Sequence, residues 1–290
     1  MSKTILITGA NGNVSSSLIM ALKGTKNVVR ALVRNSAAAE KLKAQGVETC
    51  IGDLELPATL TKAFEGVDAA WLLTNNGPRS PEHMSKAIYA ARKACVSHVV
   101  RMSAIGAAHN APTINSRLHA MSDAELAASG LPYTVIQPHF FMQNLMMFAQ
   151  SVAKEGTMHA ALADACIGMV DTRDIAEFAA KVLTSGGHVG KTYVLTGPTS
   201  ISMNQVAETL GTTLKKPVKY VPVSVEQACS AMAKMGMDTY SVNMMADYFT
   251  AYSSNWGDLV SSDFRNLMGK APRSIADFAK DFGAAFSASN

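Results

Sequence analysis

A chain of 290 residues, 48% of them hydrophobic, is long enough for one large α/β domain or for a core domain with an addition. Its 26 Lys and Arg against 22 Asp and Glu give a net charge of +4, dispersed without a dense basic run, so the composition points away from nucleic acid. Cys50, Cys95, Cys166 and Cys229 form neither a C-x-x-C pair nor a Cys/His cluster of metal spacing, and no apolar run approaches the ~20 residues that cross a bilayer. The expectation is a soluble, cytoplasmic protein with free thiols, no leader, no membrane segment and no metal.

In chain order, Ile5, Leu6 and Ile7 read as a buried parallel strand, Gly9 and Gly12 permit a tight turn, and Val14, Leu18 and Leu22 fall on one helical face. Strand, glycine turn and helix in this order form a dinucleotide-binding signature. Gly9, Asn11, Gly12, Asn13 and Val14 would hold the pyrophosphate at the helix N-terminus. The pattern runs G-x-x-G-x-x-S. Ser15 stands where a third glycine usually allows close helix–strand packing, and it offers a hydroxyl to a phosphate.

Next, NVVRALVRN reads as a second strand, residues 36–45 as a helix, GVETCIGDL as a third strand, and residues 57–65 as a helix. DAAWLLT follows as the fourth strand, then a helix over 81–95 with Ile88, Ala91 and Cys95 on its apolar face, then HVVRMSA, a helix over 116–129, and YTVIQP. The alternation predicts a Rossmann-like, doubly wound parallel sheet of right-handed βα units over residues 1–150. From about residue 139 the beat weakens. Residues 151–290 read mainly as a smaller C-terminal α/β domain that covers the substrate, with some segments returning to the core. Asp171 and Asp174 read as N-terminal charges of a helix. A last helix over 274–286 opens on Ser274 with Asp277 three residues on, a capping box with Asp in place of Glu.

The end of the second strand selects the cofactor. An NAD-binding fold places an acid there for the ribose 2′-hydroxyl, whereas this chain has Arg34, which can pair with a 2′-phosphate; its other reading is a solvated strand-end charge. NADPH is therefore expected, with NADH weaker. Asp53 and Leu54 stand where adenine is commonly met, and Asp53 also reads as a turn acid before Pro57. Thr74 and Asn75 end the fourth strand with short polar side chains that suit the cofactor's ribose and nicotinamide, or a turn cap.

A typical short-chain carbonyl reductase adds a serine after strand five and Tyr-x-x-x-Lys on the next helix, the lysine lowering the tyrosine pKa so that the phenol protonates the alkoxide. Here Tyr89 and Lys93 have that spacing one helix too early, and no lysine lies between Lys93 and Lys154. The helix after Ser103 carries Ser116 and His119 instead. Ser103 is a candidate to bond the nicotinamide ribose or the acceptor, or is a turn serine; His119 is a candidate proton donor, or a structural histidine. Without the phenol, the chemistry that remains is hydride transfer to acceptors that delocalise or cancel the incoming charge, such as quinones, azo compounds in their hydrazone form and triarylmethane cations.

TGANGN, the VRN after strand two, GDL, the helix lacking Tyr and Lys, SGLPYTVIQP and HFFMQNL resemble the NmrA-like, atypical short-chain dehydrogenase/reductase family over nearly the whole chain. Within it the chain is most similar to flavin-free NAD(P)H-dependent reductases of azo dyes, triphenylmethane dyes and quinones. The resemblance implies a Rossmann domain, a small C-terminal domain and a cleft between them. It also implies a second branch, transcription co-regulators that bind the cofactor without turning it over. Ser15 departs from the family's third glycine, and Gln137 stands where many members have Arg before the proline.

For the substrate, His139, Phe140, Phe141, Met142 and Asn144 follow strand six as an aromatic, Met-rich wall suited to flat aromatic ligands, or as core packing at a domain junction. Trp256 lids the site or anchors the C-terminal domain. The expected function is an NADPH-dependent, flavin-free oxidoreductase moving hydride to a small aromatic acceptor. The alternative is a non-catalytic NADP(H) sensor of the NmrA type; a sugar-nucleotide epimerase is disfavoured by the missing Tyr and Lys. A homodimer is left open.

Overall fold

The computed structural model describes residues 2–287, which form two compact units. The first comprises residues up to Ala111, Asn115–Gln137 and Ile175–Tyr193; the second comprises Pro112–Ile114, Pro138–Asp174 and the chain from Val194.

The first unit follows the alternation in the sequence: β1 (Thr4–Ile7), α1 (Asn13–Leu22), β2 (Val28–Val33), α2 (Ser36–Lys43), β3 (Glu48–Ile51), α3 (Leu60–Phe64), β4 (Ala69–Leu72), α4 (Ser80–Lys93), β5 (His98–Met102), α5 (Ile114–Ala128) and β6 (Tyr133–Pro138). The strands pair in parallel, Ile5 of β1 lying between Val29 and Ala69. The sheet is ordered β3-β2-β1-β4-β5-β6, so its direction of growth reverses between β1 and β4. Ligands of open α/β sheets bind beyond the carboxyl ends of the strands at such a reversal. Helices cover the sheet with the faces that periodicity assigns, Leu18, Ile19 and Leu22 on α1 and Met84, Ala87, Ile88 and Ala91 on α4, all buried. Cys95 is a correction. It lies past the end of α4 with φ +54° and is exposed, so Met84 and Ala87 complete the apolar face in its place. Residues 57–65 split into a 3₁₀ turn, Pro57–Thr59, and α3, with Pro57 at the first position, where its missing amide costs no helical bond.

Two segments after the second unit begins rejoin the first: α7 (Thr172–Thr184), and β9 (Thr192–Leu195), which adds a seventh strand beside β6. The second unit contains α6 (Ala149–Glu155), β7 (Thr157–Ala160), β8 (Cys166–Ile167), β10 (Ile201–Ser202), α8 (Met203–Leu214), β11 (Lys219–Pro222), α9 (Val225–Lys234), α10 (Thr239–Ser253), α11 (Asp263–Met268) and α12 (Ile275–Phe282). β7 pairs with β11 in parallel and β8 with β10 antiparallel. Its separate core gathers Met142, Leu145, Met158, Leu210, Phe278 and Phe286. Because residues 139–148 pack with that core, the passage between units falls at Gln137 and Pro138 rather than at residue 150. Ser274 and Asp277 form the capping box, and the helix ends at Phe282, followed by a 3₁₀ turn over Gly283–Phe286. Among the described residues no helix is long and apolar enough to cross a membrane.

Candidate active site

The turn after β1 has the geometry of a phosphate cradle. Gly9 sits at φ +64°, where a Cβ would come within 3.1 Å of the Leu73 side chain. The Gly12 amide donates to the Gly9 carbonyl at 2.9 Å, and a Cβ on Gly12 would meet that same oxygen at 3.3 Å. Gly12 caps α1 without any side-chain hydrogen bond, and the first turn carries no acid, so the helix presents its orphan amides and positive dipole end to an anion. Asn11 and Asn13 are exposed on this turn, and Val14 is buried beneath it.

Ser15 is engaged elsewhere. Its hydroxyl donates to the Thr8 carbonyl (3.0 Å) and accepts from the Trp71 indole Nε1–H (3.1 Å), with both side chains fully buried. The Thr8 hydroxyl in turn donates to the Leu73 carbonyl (2.8 Å) and accepts from the Leu73 amide (2.7 Å). The hydroxyl at the third-glycine position therefore serves the tryptophan of β4 rather than a phosphate. Sequence reading missed Trp71, because a buried indole in an apolar strand carries no local sign of its partner.

Arg34 stands exposed just past β2, with no ion pair among the described residues, while its neighbour Asn35 is committed to capping α2 through the Ala38 amide (2.9 Å). Asp53 uses one carboxylate oxygen to accept the Glu55 amide (3.0 Å), a turn-forming bond, and its own amide donates to the Thr59 hydroxyl. Leu54 packs, half-buried, on the first core. Thr74 is half-buried and Asn75 exposed in the loop after β4. Gly9, Gly12, Arg34 and Thr74 all follow the carboxyl ends of β1, β2 or β4, the edge where a dinucleotide lies across the reversal.

Tyr89 is 63% exposed on α4, which fits a surface position and not a catalytic one. The carboxyl end of β5 holds a different constellation. Ser103, directly after β5, donates its hydroxyl proton to Asp123 Oδ2 at 2.6 Å. Asp123 Oδ1 forms an ion pair with Arg101, whose side chain is 1% exposed. Arg101 Nη2 lies 3.2 Å from His119 Nδ1. Guanidinium nitrogens only donate, so Nδ1 accepts and the ring proton is on Nε2. Burial, reinforced by the Arg101 charge, pulls His119 down to a pKa of about 3. An imidazolium acid is thus unavailable near neutrality. Burial pushes the Asp123 carboxyl upward, against the Arg101 charge and the bond from Ser103; paired to an always-charged guanidinium, it is a carboxylate. His119 and Asp123 are four residues apart on α5, the spacing of a Tyr-x-x-x-Lys pair. Arg101 and Asp123 were not legible as functional, since charges in a strand and on a helix face are most often solvated.

The residues after β6 divide. His139 is 2% exposed; its Nδ1 accepts the Phe140 amide (2.7 Å), so Nε2–H donates to the Gly257 carbonyl (3.0 Å), and burial holds its pKa at about 4. Both ring nitrogens are used internally, which corrects its assignment to substrate. Met142 is corrected likewise, being 1% exposed within the second core. Phe140 is half-buried against that core and edge-on to Tyr252, Phe141 bridges to Val170, and Asn144 is exposed. Trp256, edge-on to Tyr252 at 5.4 Å, lines a cavity of about 470 Å³ with Pro112, Asp247, Thr250, Ala251 and Ser254. Asp171 and Asp174 are buried at the start of α7, paired with Arg173 and Arg273.

The model of the NmrA-like family matches residues 1–278. The chain belongs to the NmrA-like family. It is 36% identical over 284 residues to the NAD(P)H azoreductase of Xenophilus azovorans, spanning 98% of this chain and 99% of that one. Its fold matches the NADPH-dependent quinone oxidoreductase of Escherichia coli, solved with NADPH, at a TM-score of 0.87 and 28% identity over 96% of this chain and 99% of that one. The Citrobacter triphenylmethane reductase, solved with NADP(H), shares the fold at a TM-score of 0.86 and 24% identity, over 97% and 99% of the two chains.

Proposed function

We propose that the protein is an NADPH-dependent, flavin-free reductase that passes hydride to small conjugated aromatic acceptors of the azo, quinone or triarylmethane type. The observation that carries the reading is the constellation at β5 and α5: where a carbonyl reductase has a phenol and a lysine, this chain has a neutral His119 and an ion-paired Asp123, neither suited to protonate an alkoxide. The activities named for its relatives agree with it.

When bound, the nicotinamide would supply a hydride, that is, one proton with two electrons. The amides of α1 would receive the pyrophosphate, and Arg34, without an ion pair among the described residues, would hold the 2′-phosphate. Ser103, its rotor fixed by Asp123, orients the ring or the acceptor at the end of β5. Charge arriving on the acceptor is delocalised into the aromatic system or cancels a cation, and water supplies any remaining proton. All four cysteines are free, which fits a reducing compartment. The test is turnover: purified protein freed of flavin should oxidise NADPH in the presence of an azo, quinone or triarylmethane compound. Tight NADPH binding with no turnover on any of the three would favour a cofactor sensor.

A further inference from the structure

Ser103 has one proton, and the structure shows where it goes. The 2.6 Å bond to Asp123 Oδ2 consumes it, and the carboxylate is fixed from its other oxygen by Arg101, a side chain that is 1% exposed and stays charged. Removing either ion from a buried pair is strongly unfavourable, so the arrangement is locked. A hydroxyl whose proton is spent inward has only lone pairs to offer a ligand. This reverses the polarity of a serine that donates to a carbonyl oxygen.

We propose that the Arg101–Asp123 pair fixes Ser103 as a hydrogen-bond acceptor and so sets the substrate class of the site: conjugated acceptors that carry an N–H or O–H donor, above all the hydrazone tautomers of hydroxyazo compounds, over bare carbonyl acceptors such as quinones. The inference rests on the reductase reading and deepens it. In the hydrazone, hydride adds to the imine nitrogen, the electron pair moves to the carbonyl oxygen as the ring regains aromaticity, and water protonates the resulting naphtholate. The donor N–H on the neighbouring nitrogen is retained, so the hydrogen bond to Ser103 persists through the step. Asp123 and Arg101 act through Ser103 as positioning residues.

The test is the ratio of kcat/KM for para-phenylazo-naphthol to that for naphthoquinone, with NADPH, in wild type, D123N and S103A. In D123N the amide oxygen stays with Arg101 and the amide N–H meets Ser103 Oγ, which frees the serine proton and turns the hydroxyl into a donor. The ratio should fall about tenfold or more, the scale at which a site built for one hydrogen-bond polarity rejects the other. S103A leaves the buried ion pair intact, so it reports even where D123N is unstable; its ratio should also fall, since only the hydrazone loses a partner. An equal loss on both acceptors, or a larger loss on the quinone, overturns the inference while leaving the reductase reading in place. Wild-type protein that turns over neither acceptor overturns the inference, and the reductase reading falls with it only when a triarylmethane cation is left unreduced as well.

Discussion

Replacing Ser15 by alanine removes the acceptor of the Trp71 Nε1–H at a site where both side chains are fully buried. An orphaned buried donor costs about 1–3 kcal/mol, and the lost bond to the Thr8 carbonyl adds to that, so Ser15→Ala should lower unfolding stability by about 2 kcal/mol. Trp71→Phe removes the donor itself and trims a fully buried ring, which costs about 2–4 kcal/mol by packing alone. The two changes share one bond. A double-mutant cycle followed by urea unfolding and far-ultraviolet circular dichroism should therefore give a double variant more stable than the sum by about 1–2 kcal/mol. Ser15→Gly, which restores the usual third glycine, should behave as the alanine variant does, less up to ~1 kcal/mol for glycine within α1. In all of them NADPH affinity should change by less than about tenfold, because the hydroxyl serves the indole. Additive stabilities, or a Ser15→Ala protein of unchanged stability that loses NADPH affinity a hundredfold, would refute the assignment and return the hydroxyl to the phosphate.

Further expectations follow from other parts of the structure. Arg34→Ala should weaken NADPH about 10–100-fold and NADH little, since a charge-assisted pair with a phosphate contributes about 1.5–3 kcal/mol; titration with both nucleotides decides it, and equal losses would remove the 2′-phosphate assignment. His139 has a folded pKa of about 4, below the ~6.5 of an unfolded chain, so acid is taken up first by the unfolded state. Stability should hold above pH ~6.5 and fall between there and about 4, by up to ~1.4 kcal/mol per pH unit from this residue, with His119 adding to the slope; His139→Gln should flatten it in unfolding titrations. Because His119 is neutral across that range, kcat should show no inflection near pH 6.5. Arg273→Met should cost about 3–5 kcal/mol by leaving Asp174, 1% exposed, as an unpaired buried carboxylate.

The sheet was legible because its causes are local. Short apolar runs such as Ile5–Ile7 are buried on both faces, and only a parallel arrangement with helices on each side does that. Gly9 and Gly12 were legible for the same reason, their freedom being used where they stand. The return of α7 and β9 to the first sheet depends on contacts distant in sequence, and periodicity carries no trace of them. His139 and Met142 show the limit at the candidate site: an aromatic, Met-rich run reads alike whether it lines a pocket or fills a core, and the Gly257 carbonyl that occupies His139 lies 118 residues away. Arg101, Asp123 and Ser103 were visible singly, and only the fold made them one cluster.

The central claim, direct hydride transfer from the nicotinamide without a flavin, is tested most directly by isotope transfer to a carbon acceptor. A triarylmethane cation would be reduced by the flavin-free protein with C4-deuterated NADPH of each facial label in ordinary water, and with unlabelled NADPH in heavy water. The account predicts that one facial label, and that label alone, appears at the central carbon of the colourless product, with no deuterium taken from solvent. Deuterium arriving from heavy water, or loss of the cofactor's label from both faces, would contradict it.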